Sequence, residues 1–151
     1  MTDADILRQV RRFLLLLSLV LFVGTVIELW LVQHTQELVQ WLAFVFSGLG
    51  GLSVLGFLLK STRRLVQLLR ICMLIVFFGG GFGIYQHVTN NIAFEREIHP
   101  TATTKELMMK GLSGANPLLA PGVLSVAALL ALAAAYKHQA QGEPAKPNVL
   151  T

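Results

Sequence analysis

Polar residues are scarce along four long stretches of the chain and crowd into the segments between them. The apolar stretches are residues 13–32, 38–59, 65–88 and 117–136. About 20 mainly apolar residues suffice for a helix to cross the hydrocarbon core of a bilayer, and each stretch approaches or reaches that length. Short alternating strands, the signature of a membrane barrel, are absent, so helices must satisfy the backbone inside lipid. The pattern predicts an all-α polytopic membrane protein, with four transmembrane helices in an up-down bundle.

The connections are unequal. Residues 33–37 (QHTQE) and the segment around KSTRR leave room only for tight turns. Residues 89–116 form the one long connection, and long loops in compact architectures are usually functional or disordered. Within it Thr103 and Glu106 match a capping box and Gly111 suits a C-terminal cap, which predicts a short surface helix over 104–110. Asn90-Asn91 argues for a helix break at the start of the loop. Asn116-Pro117 reads as a cap followed by a first-turn proline, and Pro121 is expected to bend the start of the fourth span. Residues 1–138 form a single transmembrane domain in this reading. The polar, proline-containing segment 139–151 is a disordered cytoplasmic tail.

Charge orients the bundle. Of the 12 Lys and Arg residues, nine fall on one side: Arg8, Arg11, Arg12, Lys60, Arg63, Arg64, Arg70, Lys137 and Lys146. Arg96, Lys105 and Lys110 fall on the other, diluted by Glu95, Glu97 and Glu106. The positive-inside rule then makes both termini cytoplasmic and the long loop external, in an inner membrane of bacterial type. Trp30, Trp41 and Tyr85 fall near the outer boundary, where amphipathic rings prefer to sit. The arginines ahead of the first span resemble the start of a signal peptide. The apolar run is longer than a signal h-region, however, and no A-x-A-like site follows, so an uncleaved anchor is expected.

Composition closes several functional classes. Hydrophobic residues make up 54% and charged residues 13%, against roughly 25% charged in soluble proteins. The single cysteine, Cys72, removes the paired-thiol chemistry of four-helix membrane thiol oxidoreductases. The net charge of +4 sits beside the spans, where topology explains it, so nucleic acid is not an expected partner. The glycine run FFGGGFG lacks the strand, helix N-terminus and lysine of a phosphate loop. Gly79 and Gly83 instead have the small-xxx-small spacing of close helix packing. Ser47 and Gly51 in the second span, and Ala127 and Ala131 in the fourth, offer matching surfaces. A seam of spans two, three and four follows, with span one more exposed to lipid.

The candidate chemistry is concentrated outside. Glu28 is the only carboxylate within a span, and such groups usually have partners; His34, His87 and Arg96 are the ones in reach. His87, Asn91, Glu95 and His99 are spaced four apart. A helical backbone would stack neighbouring members on one face, whereas an extended one would put Glu95, Glu97 and His99 on one side. Glu95 and His99 share a side in both. Carboxylate and imidazole at this spacing can hold a divalent metal, which makes His87, Glu95 and His99 the metal candidates. No cofactor is otherwise expected: no histidines face each other at mid-depth, as a haem sandwich needs. No nucleophile–base set appears, so no enzymatic reaction is assigned.

In having four short helices and one glutamate in the first span, the plan is similar to that of the small multidrug transporters. It departs from them in the offset of Glu28, the long outer loop and the strong charge bias, and no family is assigned. The leading expectation is a non-enzymatic accessory or scaffold subunit in the lipid bilayer, offering a polar outer patch to a protein partner or small ligand. The patch comprises Glu28, His34, His87, Asn91, Glu95, Arg96, Glu97 and His99. The alternative is a small homo-oligomeric transporter or metal-handling protein using Glu28 and the His87/Glu95/His99 cluster.

Overall fold

The computed structural model describes residues 1–114 and 118–137, which form five helices and no strand. They are α1 (Asp3–Leu31), α2 (Leu38–Leu59), α3 (Arg63–Ile98), α4 (Thr104–Ser113) and α5 (Leu119–Ala135). Three of them, α1, α2 and α3, are long and apolar enough to cross a membrane; α5 is equally apolar but has 17 residues. Asn116, Pro117 and the tail 139–151 lie outside the described residues.

Helix boundaries differ from the apolar stretches for local reasons. The first helix starts ten residues earlier than expected, because Thr2 and Asp5 form a capping box: the Asp5 carboxylate accepts from the Thr2 N–H at 3.1 Å. The third runs 36 residues, straight through Asn90-Asn91 where a break was expected. Asparagine disfavours helix interiors when its side chain competes for nearby backbone groups. Here the Asn91 carboxamide is buried and donates instead to the Gly111 carbonyl of α4 at 3.1 Å. A tertiary contact removes the competing local bond. Gly111 is likewise not a cap, since α4 continues to Ser113. In α5, Pro121 is the third helical residue, where the missing N–H has no intrahelical acceptor anyway, so no bend is required there.

Four helices pack side by side. The neighbours of α1 are α2 and α5, those of α3 are α2 and α5, and α2 meets α5 only slightly. Of the expected seam of spans two, three and four, α3 does pack against both α2 and α5, but α5 also packs along α1, which sends Leu15 and Phe22 into the core. Its buried residues are Leu15, Ser18, Phe22, Thr25 and Leu29, an alternation of three and four that keeps one narrow face inward. The Phe22 ring occupies the space that a side chain at Gly50 of α2 would need, and its Cβ lies against Gly51. On α3 the glycines serve two neighbours, Gly79 taking the ring of Phe46 from α2 while Gly80 and Gly83 take Pro121 of α5. Ala127, Ala128 and Ala131 of α5 are fully buried.

The buried hydroxyls of Ser18, Thr25 and Ser47 all bond to backbone carbonyls. Ser18 donates to the Ala127 carbonyl at 2.8 Å, a bond between α1 and α5, while Ser47 donates to the Ala43 carbonyl in its own helix at 2.7 Å. Among the described residues no Asp, Glu, Lys, Arg or His is buried. One end of the bundle is basic. There two arginines close α5: Arg70 donates to the Ala135 carbonyl at 2.7 Å and Arg11 to the Tyr136 carbonyl at 2.9 Å. Both satisfy carbonyls that a helix end leaves open, and both place positive charge at the negative pole of the helix dipole. This use of Arg70, half-buried near the start of α3, had no signal in the sequence.

Candidate functional site

At the opposite end α3 outruns the bundle. At 1.5 Å per residue its 36 residues span roughly 54 Å, against about 30 Å for a hydrocarbon core. The chain turns after Ile98 and α4 folds back antiparallel on the extension, with α3 as its only helical neighbour among the described residues. Leu107 and Gly111 form the buried face of α4. Close approach is possible because side chains at Gly111 and Gly114 would collide with Ile92 and Asn91 respectively. The result is a projecting helical hairpin.

Its start is fixed by the predicted capping box. The Glu106 carboxylate accepts from the backbone N–H and the hydroxyl of Thr103, each at 2.8 Å. Those two donors, the backbone N–H foremost, hold its carboxyl below the usual carboxylate range. Beside the turn a groove of about 410 Å³ is lined by Glu95, His99, Thr101, Glu106, Leu107 and Lys110, among others. The helical alternative for the Glu95–His99 pair is the one realised: His99 Nδ1 lies 3.0 Å from a Glu95 carboxylate oxygen. The other oxygen faces Lys110 Nζ at 3.8 Å, a partner that sequence spacing could not reveal. The groove is thus a zwitterionic cleft. The hairpin also carries exposed apolar side chains, namely Phe94, Met108, Met109 and Leu112.

The other proposed members scatter. Arg96 and Glu97 point into solvent along the α3 extension. Glu28 is exposed on α1, and no hydrogen bond or ion pair joins it to His34, His87 or Arg96 among the described residues. The reason is rotational. With Leu29 on the inward face, the preceding residue is turned about 100° away, and the straight α3 carries Arg96 beyond α1.

His34 and His87 do meet. Gln33 takes a left-handed conformation (φ 51°) and sharpens the α1–α2 turn, while the His34 N–H bonds back to the Leu29 carbonyl at 3.0 Å. This sets the half-buried His34 ring beside that of His87 on α3, with centres 6.5 Å apart and planes tilted by 42°. Burial, and then the neighbouring His87, hold the His34 imidazole below its ordinary range against the pull of Glu37. The His87 Nδ1 is buried without a hydrogen-bond partner.

Asn91 is the pin between α3 and α4. Asn91→Ala should leave the Gly111 carbonyl without this donor, at a cost of about 1 kcal/mol. Hydrogen exchange of the α4 amides should then rise about fivefold, while the α1 amides stay unchanged.

Among the described residues no three His, Cys, Asp or Glu side chains are grouped to hold a metal ion. No family model, curated protein or solved structure matches the chain.

Proposed function

We propose that the chain is a four-span membrane protein with both termini cytoplasmic, whose α3–α4 hairpin is an extracytoplasmic docking element for a partner protein. The observation that carries this reading is the hairpin itself: a helix longer than a bilayer requires, braced by a second helix that packs on no other helix among the described residues. In this arrangement α5, with its flanking residues, is the fourth span; 17 residues lie at the short end of what crosses a bilayer. The basic end faces the cytoplasm by the positive-inside rule. Exposed Trp30, Trp41 and Tyr85 then sit at the outer interface. Methionines and leucine flanking a charged cleft give a partner both apolar area and ionic register, as interfaces commonly combine. In this reading the role is non-enzymatic: His99 Nδ1 is engaged by Glu95 rather than by the Thr101 hydroxyl in the cleft.

Photo-crosslinkers placed at Met109 and Leu112 in native membranes should trap a discrete protein adduct, and one at the α2 residue Leu52 should trap lipid. Equal patterns at all three positions would sink the docking role. Topology is tested separately by single cysteines at Lys105 and Ser61: an impermeant thiol reagent added outside should label only the first.

The alternative is an oligomeric transporter, and one observation favours it: the exposed Glu28 carboxylate near the end of α1, which has no ion-pair partner among the described residues. A second copy could satisfy that group. Against a path within one chain stands an interior lined mainly by alanine, glycine and apolar side chains, in which no Asp, Glu, Lys, Arg or His is buried among the described residues.

A further inference from the structure

We infer that His34 and His87 form a two-imidazole site for one transition-metal dication of the Zn²⁺ or Cu²⁺ kind, clamping the α1–α2 turn to α3. Two independent features converge on this pair. The first is distance. With metal–nitrogen bonds of about 2.0–2.1 Å, two imidazoles sharing an ion hold their ring centres roughly 5–6.5 Å apart, depending on the bond angle. The rings of His34 and His87 stand 6.5 Å apart, at the upper end of that range, so the two must approach by about 1 Å to share a tetrahedral ion.

The second is the orphaned nitrogen. A buried polar atom without a partner is uncommon enough to need a cause, and an ion or a water molecule is one. Nδ1 of His87 is such an atom, on the ring that His34 faces.

The charged group that bears on His34 from α2 is the carboxylate of Glu37, whose sign welcomes a dication. The remaining coordination positions fall to water.

The other histidine at this end is poorly placed for the task. His99 is engaged by Glu95 at 3.0 Å, and Lys110 approaches the same carboxylate at 3.8 Å. A second cation there would be repelled by the ammonium. Metal chemistry therefore belongs at His34 and His87 rather than along the His87, Glu95, His99 series. The site stands independently of the docking role.

The test uses the full-length chain without a histidine tag, in detergent micelles. Calorimetric titration with Zn²⁺ should give one ion per chain. His34→Ala and His87→Ala should each weaken binding about tenfold or more, and His99→Ala should leave it unchanged. The ligand count comes from the unmutated protein: Cu²⁺ added at one equivalent should show electron paramagnetic coupling to two imidazole nitrogens. Coupling to fewer than two, or binding that survives loss of either His34 or His87, would overturn the assignment. Absence of saturable Zn²⁺ binding would do the same and would leave water as the occupant at the His87 nitrogen.

Discussion

Gly80→Leu will separate α5 from α3. A Cβ at Gly80 would lie 2.8 Å from the Pro121 carbonyl oxygen and would also collide with the Ser125 hydroxyl. The carbonyl is backbone, so no rotamer change can relieve the contact and α5 must move as a body. Movement breaks the bond from Ser125 to the Phe77 carbonyl, 3.0 Å long, and withdraws Ala127, Ala128 and Ala131 from their neighbours. Overpacking usually costs about 1–3 kcal/mol and occasionally more; a rigid wall on one side puts this case at the upper end, near 3 kcal/mol. The control lies next door. A side chain at Gly81 meets nothing within 4 Å, so Gly81→Leu should change stability little. Denaturant titration in mixed micelles should show a large loss for the first variant and nearly none for the second. Equal losses would mean that leucine is tolerated or rejected by helix propensity alone.

The same glycines show how far the sequence could be read. Spacing identified FFGGGFG as a packing surface but could not say which helix each glycine serves. Gly79 and Gly80 are adjacent in sequence, 100° apart around a helix, and contact different partners. Choosing the partners requires knowing the order of helices around the bundle, and small residues in all of α2, α3 and α5 fit several orders equally well. Leucine and phenylalanine in α1 suggested a lipid-facing helix, yet Phe22 is the side chain that fills the groove at Gly50. A large residue on one helix and a missing one on its neighbour are complementary, and composition taken helix by helix hides that.

The candidate site divides the same way. Local signals held: the Thr103–Glu106 box and the Glu95–His99 spacing depend only on residues three or four apart, and the geometry contains both. Contacts made by folding were illegible. Asn91 looked like a breaker because its acceptor, the Gly111 carbonyl, is 20 residues away. His34 and His87 were each visible as polar residues near one boundary, but their pairing depends on a left-handed turn at Gln33. Glu28 was singled out by its rarity, which says nothing about the face it occupies.

Phe22→Ala will produce the other large effect, and its size bears on what holds α1 in place. Phe22 is 1% exposed and fits over Gly50 and Gly51. In a water-soluble core Phe→Ala costs about 3–5 kcal/mol, part of it the loss of transfer from water. For a helix that remains in lipid when the bundle comes apart, that transfer contribution largely vanishes, because acyl chains are as apolar as the core. What is left is the cavity and its forfeited dispersion contacts, so the expected cost falls to about 2–3 kcal/mol. Val20, exposed on the outer face of the same helix, should tolerate alanine with little change. Adding Ser18→Ala should cost at most about 1–2 kcal/mol more, the range for an interhelical bond in membranes. If α1 were held chiefly by its polar bond to the Ala127 carbonyl, the serine variant would be the more damaging of the two. Unfolding by denaturant in mixed micelles would show that order directly.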